Sequence, residues 1–314
     1  MTAPTVQRGE VLCFAYRFRA HFSVHNAMFH DAVFDRIWRR GQQRARVNPS
    51  TPVSRALAAL ALHSVVLALY LFVARPYQLR FGATDAEVRQ TMPGDELNRA
   101  PTFLATRAIT INAAPSAIWP WLLQMGFGRA GYYGYDILEN LGSPSGLHSA
   151  TTIIRAYQHY IVGDAVPISL AASMQFHDIQ PDRYLVWSGL SGGTNGAFTW
   201  ALDPIDATHT RLVSRIRWTH HWSQPGMLVL DIFSEFADHI AVRKILVGVR
   251  DRVEGQVEPW YVQNVAFTTF VAVLLVYAAA LIAVLRHPVT VRRLLIAFAA
   301  GVVWLVVWYT PLIA

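Results

Sequence analysis

The sequence predicts an α+β domain held between membrane-spanning helices. Three observations predict it: charge-free apolar runs on both sides of residues 76–260, short alternating strand patterns within that segment, and a long amphipathic helical pattern that closes it. At 53% apolar and only 15% charged residues over 314 positions, the chain is too greasy for an ordinary soluble protein of its size. The excess sits in three runs, and these divide the chain into a basic arm (1–55), a span (56–75), the domain (76–260) and two further spans (264–286 and 293–314).

The first run, Ala56 to Ala74, carries no formal charge and has His63 and Ser64 as its clearly polar members. At 1.5 Å per residue it covers roughly 28 Å, close to a bilayer core. The second, Val265 to Leu285, has Thr268 and Thr269, whose hydroxyls can bond back to the carbonyl one turn earlier. The third, Leu294 to Ala314, gathers Trp304, Trp308 and Tyr309 toward one end, as rings with a polar tip do at the headgroup layer. Core helices of a soluble protein interrupt their apolar face with polar residues at every turn, and these runs do not. The cost of His63 at mid-span is met if a neutral imidazole bonds a neighbouring helix.

Residues 1–55 carry nine Arg against Glu10, Asp31 and Asp35, and the 286–293 turn adds Arg286, Arg292 and Arg293 with no acid. By the positive-inside rule both face the cytoplasm. Three spans then place the domain outside it, in a multi-pass plasma-membrane protein. The domain itself holds 14 basic and 17 acidic residues, so the net charge of +7 belongs to membrane flanks and does not speak for nucleic-acid binding. Arg outnumbers Lys 26 to 1, as in GC-rich bacterial genomes. The first apolar run begins too late for a cleaved signal peptide and reads as a signal anchor. Cys13, the single cysteine, allows no intrachain disulfide. Within the arm, Phe14, Phe18, Phe22, Phe29, Val33 and Ile37 fit a basic amphipathic surface helix, while residues 14–24 also alternate as a strand would. A later translation start would remove the arm from the argument.

Inside the domain, Thr106 to Ile111 alternates as a strand, and Ala114-Pro115-Ser116 opens a short helix, Ala117 to Met125. Strand patterns follow at Ala165 to Ser169, Met174 to Ile179, Tyr184 to Gly189, Ala197 to Leu202 and Thr210 to Thr219. In the last, Leu212, Ser214, Ile216 and Trp218 take one face and Arg211, Arg215 and Arg217 the other, as for a sheet with one covered and one wet face. Gln224 to Gln256 reads as one long helix with Leu228, Ile232, Phe236, Ile240 and Val247 on one side. The sheet must curl over a helix to bury its apolar face.

The strand Thr106-Arg107-Ala108-Ile109-Thr110-Ile111 leads to Trp119-Pro120-Trp121-Leu122-Leu123-Gln124-Met125-Gly126. Tyr135-Asp136, Leu138-Glu139-Asn140 and Val162-Gly163-Asp164 follow. With these residues the chain resembles membrane-anchored members of the START-like SRPBCC superfamily, often labelled polyketide cyclase-like, over residues 80–255. The resemblance implies a helix-grip fold, in which a curved antiparallel sheet wraps a long C-terminal helix around an apolar cavity. It does not imply one activity, because that superfamily holds lipid carriers, cyclases, hydroxylase domains and chaperone partners.

Two letter-perfect motifs fail on context. Gly126-Phe127-Gly128-Arg129-Ala130-Gly131 matches a dinucleotide glycine pattern but follows a helix rather than a strand, and reads as a flexible loop at the cavity rim. Gly189-Leu190-Ser191-Gly192-Gly193 matches a nucleophile elbow, with Asp203, Asp206 and His209 in hydrolase order, but leads into another strand, as a hairpin turn does. The twelve histidines show no metal-ligand spacing, and no metal or cofactor is expected.

The helix-grip layout makes Trp119, Trp121, Met125, Tyr132, Tyr135, Trp187, Phe198, Trp200, Trp218 and Phe236 the expected wall for an apolar ligand, shared with ordinary core. Arg129, Asp136, Glu139, Asn140 and His148 form a polar group that either converges on the rim or is structural, with Asp136 and Glu139 capping a helix and pairing Arg129. Three functions remain open at this point. The first is tethered, non-catalytic binding or transfer of a hydrophobic small molecule or membrane lipid. The second is a cyclase- or hydrolase-type enzyme using Asp136, Glu139 or His148 as acid or base. The third is a scaffold subunit that packs on a membrane-protein partner through His63 and the small residues Ala297, Ala299, Ala300 and Gly301.

Overall fold

A computed structural model describes residues 51–170, 172–189, 196–220 and 225–307, and from Pro225 onward its side chains are described at 235 and from 237. The arm, Ser191 with the rest of residues 190–195, the Phe236 side chain, and Trp308 and Tyr309 lie outside the described residues.

Six strands make one antiparallel sheet in the order β1-β6-β5-β4-β3-β2. They are β1 (Phe103–Ile111), β2 (Ala165–Pro167), β3 (Ser173–Gln180), β4 (Tyr184–Gly189), β5 (Gly196–Pro204) and β6 (Thr210–Trp218). Within the domain each strand pattern became a strand, because side-chain period two fits an extended chain with one face covered. β1 closes the far edge by pairing along its full length with β6, from Phe103↔Trp218 to Ile111↔Thr210. A register shift between Phe176 and Asp178 in β3 bends the sheet where it must curl. On the inner face lie α3 (Pro115–Gln124) and the long α5 (Pro225–Val253), which bury Ile118, Leu122, Val242, Ile245, Leu246 and Val249 against it. The α+β expectation of a sheet closed by a long last helix therefore matches the structure.

The outer face is not wet. The segment after the first span, with α2 (Asp85–Arg89) and a 3-10 turn at Asp95–Leu97, covers it. Arg215 is 3% exposed. It donates to Thr106 Oγ1, to the Gln90 and Glu87 carbonyls and to Asp95. Arg211 holds both Glu87 oxygens, and Arg217 bonds the Asn98 carbonyl. Arginine can serve as a buried face when its apolar stem lies on the sheet and its five donors find acceptors, which periodicity alone cannot foresee.

Two helices are long and apolar enough to cross a membrane by length and composition: α1 (Pro52–Gln78) and α6 (Trp260–Arg286). The expected third span begins as α7 (Val291–Val307), whose described part stops short of that length. In α1 the Arg75 amide bonds the Tyr70 carbonyl, a widened turn that makes room for Pro76. Ala59 packs with Val284 and Ala297, and Val66 with Tyr277 and Leu305, so α6 runs antiparallel to α1 and α7. His63 Nδ1 bonds Tyr277 Oη at 3.0 Å, the neighbouring-helix partner that its position demanded. Gly301 is required here, since a Cβ would lie 2.9 Å from both Tyr277 and Val66. Ala297 and Ala300 also pack within the bundle, so most of the small residues considered for an outside partner are consumed internally.

Bundle and domain are joined by a buried arginine that reaches the end of α1 and by a part-buried ion pair. Arg107, 1% exposed, donates to the Gln78 carbonyl at 2.9 Å and to Asp238 of α5 at 2.8 Å. Arg75 grips both oxygens of Glu235. Replacing Arg107 by Met strands the Asp238 charge and is expected to cost about 3–5 kcal/mol in denaturant unfolding of the detergent-solubilised protein. The double change Arg107→Met with Asp238→Leu should recover most of it. Equal losses in the single and double variants would show that the pair is not what matters.

Candidate functional site

The inner face of the sheet is lined by rings. Trp187 and Trp200 stand edge to face with centroids 5.9 Å apart, Phe198 lies 4.8 Å from Trp200, and Phe176 packs on Trp187. Trp119, Trp121, Met125 and Tyr132 belong to the same buried cluster, with Phe198 against it. Tyr135 does not: it is fully buried against Phe267 of α6, beside Ile240, Ala266 and Phe270. Trp218 is 36% exposed and covers Gly196, whose missing side chain makes that contact feasible.

Among the described residues, donors of Trp187, Trp200 and Arg107 on this face have no acceptor, and Arg129, packed over Phe176, leaves its Nε and Nη1 unmet as well. Trp187 Nε1, Trp200 Nε1 and Arg107 Nη2 are buried and make no hydrogen bond. Arg107, Ser214 and Trp200 stand directly opposite one another across β1, β6 and β5, so they form one row on the inner face. Trp187 is one strand further, on the same face. A buried indole N–H normally finds a partner, and leaving one unmade costs about 1–3 kcal/mol. The tryptophans were legible in the sequence. Arg107 was missed, although its signal is there: it occupies the phase of Ala105, Ile109 and Ile111, where an apolar residue belongs.

The expected polar group is divided rather than convergent. Arg129 turns away from the acids into a box of rings, 4.0 Å from the Tyr160 centroid and 5.6 Å from that of Tyr157. It donates to the Leu123 carbonyl, and burial lowers its pKa. Asp136 instead collects the Ser149 amide, the Ser149 hydroxyl at 2.6 Å, Asn140 Nδ2 at 2.9 Å and Gln263 Nε2 at 2.8 Å. In return the Asp136 amide donates to Gln263 Oε1, so the short helix α4 (Asp136–Glu139) is clamped to the first turn of α6. His148 is half exposed, 3.7 Å from Asp136, with its ring against Trp260. The glycine-rich stretch is a tight buried turn and not a flexible rim: Gly126 and Gly131 exchange both backbone bonds at 3.1 and 3.2 Å. Gly131 has a φ of 76°, and a Cβ there would meet Ser149 Oγ at 2.4 Å.

Between the loop before α4, the C-terminal half of α5 and the start of α6 lies a hollow of about 30 Å³, edged by Tyr133, Lys244, Asp251, Arg252 and Gln263. That is room for one or two waters. Tyr133 sits above it with a φ of 67°, a conformation costing a bulky residue roughly 1–2 kcal/mol. It is held there by Ser149, by its hydroxyl on the Trp121 carbonyl at 3.0 Å, and by the Arg252 guanidinium over its ring.

No protein-family model matches the chain, and no curated protein does. Solved structures similar to it include the Polyketide_cyc-like protein Cgl2372 from Corynebacterium glutamicum, at 14% identity over 48% of this chain and 91% of that one, with a TM-score of 0.32. The Zhui aromatase/cyclase from a Streptomyces species shares 14% identity over 50% of this chain and 96% of its own, with a TM-score of 0.28. The Aha1 dimer from Colwellia psychrerythraea shares 12% over 50% and 100%, with a TM-score of 0.30. Likenesses this distant say nothing of what the chain binds or converts.

Chemically, the acids are occupied with holding the loop. Asp136 has four donors, and Glu139 accepts the Gly134 amide at 3.2 Å while its other oxygen is buried without a partner. Desolvation, then the nearby Asp136 charge, pushes the Glu139 carboxyl up to about 8. Among the described residues no three of His, Cys, Asp or Glu gather as a metal would need. Aspartates 203 and 206 and His209 lie at or after the end of β5, where Asp206 caps the turn through the amides of Thr208 and His209.

The folded chain keeps the Glu139 proton to about pH 8, whereas the unfolded chain gives it up near 4.5. Between these values the native state binds more protons, so its stability falls as pH rises through that window and levels above it. Glu139→Gln is expected to remove this fall. Thermal melts across the window in both proteins check it, and parallel slopes would refute the assignment.

Proposed function

We propose that this chain is a membrane-tethered module that binds or transfers a hydrophobic small molecule or lipid bearing at least one acceptor oxygen, held between the inner face of the sheet and α5. Arg107 and Trp200 of one row, with Trp187 on the same face of the next strand, carry the reading, because their unmet donors beside an aromatic wall are matched by an apolar guest with a carbonyl, hydroxyl or carboxylate oxygen. Tethering is supported by the outer surface of the helical bundle. Leu60 is 63% exposed, Phe72 80%, Leu275 63% and Leu295 61%, on three different helices. Water would not tolerate such a belt, whereas a bilayer would. The third span is read from the apolar run Leu294 to Ala314, of which α7 covers the described part. Arg55 bonds the Arg286 carbonyl at 2.9 Å at the end of the bundle remote from the domain, and Arg292 and Arg293 follow in the adjoining turn. That charge favours a cytoplasmic N-terminus and a domain outside the plasma membrane.

The enzyme reading has less support, since Asp136 is saturated and His148 faces outward. The scaffold reading has lost most of its small-residue surface to the bundle itself.

Native mass spectrometry of the detergent-solubilised chain tests the proposal by detecting a bound oxygenated apolar mass. Trp200→Phe and Trp187→Phe keep a ring and remove the N–H. Each is expected to weaken retention of that mass by roughly fivefold, the equivalent of about 1 kcal/mol, while leaving melting temperature unchanged or raised. A chain that retains no such mass from its native membrane, or Phe variants that lose stability without losing ligand, would overturn the proposal.

A further inference from the structure

Three exposed apolar side chains follow Asp136 in sequence: Ile137 at 38%, Leu138 at 37% and Leu141 at 69% exposure. Their depth is fixed by what their neighbours hold. Tyr135 packs on Phe267, with ring centroids 5.7 Å apart, and Asp136 exchanges two hydrogen bonds with Gln263. Thus α4 stands abreast of residues 263–267 of α6.

The bundle supplies a ruler. Arg55 meets Arg286 at one end, and Ala59 with Val284, then Val66 with Tyr277, continue the antiparallel pairing. Carried on residue for residue, it brings Arg75 to about the level of Thr268. Arg55 and Arg75 bracket the uncharged run of α1, and twenty residues of helix measure about 30 Å, the thickness of the hydrocarbon core. Phe267 is then at the core boundary. Gln263 lies about 6–8 Å beyond it, within a headgroup layer roughly 5–8 Å deep. The amphipathic rings of Trp260 and Tyr261, each 55% exposed, start two to three residues further out on α6, about 3–5 Å beyond Gln263, and are of the kind that favours a bilayer surface.

We infer that α4 and Leu141 are seated in the headgroup layer of the leaflet on the domain side, with Ile137, Leu138 and Leu141 facing phospholipid. This rests on the membrane reading given above and deepens it: the domain touches lipid through its own loop as well as through its tethers. The occupant of this apolar patch is the lipid surface. The helix against which α4 packs is itself apolar and exposed at this level, with Val265 61% exposed.

The full chain, with its single cysteine removed by Cys13→Ser, is labelled with an environment-sensitive fluorophore at Leu141→Cys or, separately, at Leu275→Cys. It is reconstituted in vesicles of phosphatidylcholine and phosphatidylglycerol that carry a nitroxide either near the headgroup or near the acyl-chain end. The Leu141 label should lose more emission to the shallow nitroxide, and the Leu275 label more to the deep one. A Leu275 label quenched by the deep nitroxide beside a Leu141 label quenched only by aqueous iodide would overturn the seating of α4 and leave the tether standing. Labels that both ignore the lipid nitroxides would overturn both. Leu141 is exposed enough that its substitution does not threaten folding, and Leu138→Cys gives a second label on the same patch.

Discussion

The architecture depends on a buried junction of charge in which Arg107 of β1 holds the last carbonyl of α1 with one nitrogen and Asp238 of α5 with another. Sheet, long helix and α1 meet at one guanidinium that is 1% exposed. An ion pair in such a place gains little over a well-packed apolar contact, because desolvation consumes most of the Coulombic attraction. Its value lies in specificity: only one register of α5 on the sheet satisfies both Asp238 with Arg107 and Glu235 with Arg75. The same junction makes the domain and the bundle one body, since α5 has Val242 and Leu246 against the sheet and Ile240 against α6.

That double burial explains where sequence reasoning succeeded and where it stopped. The strands from Tyr184, Gly196 and Thr210 and the start of α5 at Pro225 were legible within a residue or two, because period and turn residues are local properties. What covers a face is not local. Arg211, Arg215 and Arg217 mark a polar face equally well whether water or a layer of carbonyls and acids lies over it, and here Gln90, Asp95 and Glu87 lie over it. In α5, Arg243 and Lys244 lie off the apolar stripe read from the sequence and are nonetheless buried.

The candidate site divides in the same way. The rings of Trp119, Trp121, Trp187 and Trp200 could be named because large aromatics in a curled sheet have nowhere else to go. The polar loop could be found but not resolved: five polar residues close in sequence suggested convergence, while the short turn at Gly126–Gly131 sends Arg129 one way and Asp136 the other. Tyr135 is the instructive miss. It reads as one more ring of the wall, yet it faces α6, because the left-handed Tyr133 two residues earlier turns the chain outward.

Choosing tryptophan over phenylalanine at 187 and 200 needs a reason beyond packing. A phenyl ring at these positions would fill most of the same space without burying an N–H, whereas two unmet indoles and an unmet guanidinium nitrogen together oppose folding by about 3–9 kcal/mol. That is comparable with the whole net stability of a typical domain, about 5–15 kcal/mol, so the closed interior is held shut by a narrow margin. A wall that is apolar and short of acceptors gains, under the proposed function, from a guest that brings an oxygen. Under the proposed function such a guest need cross little water, because the loop that ends in Leu141 stands at the lipid surface and the rings behind Tyr133 begin where that loop turns inward.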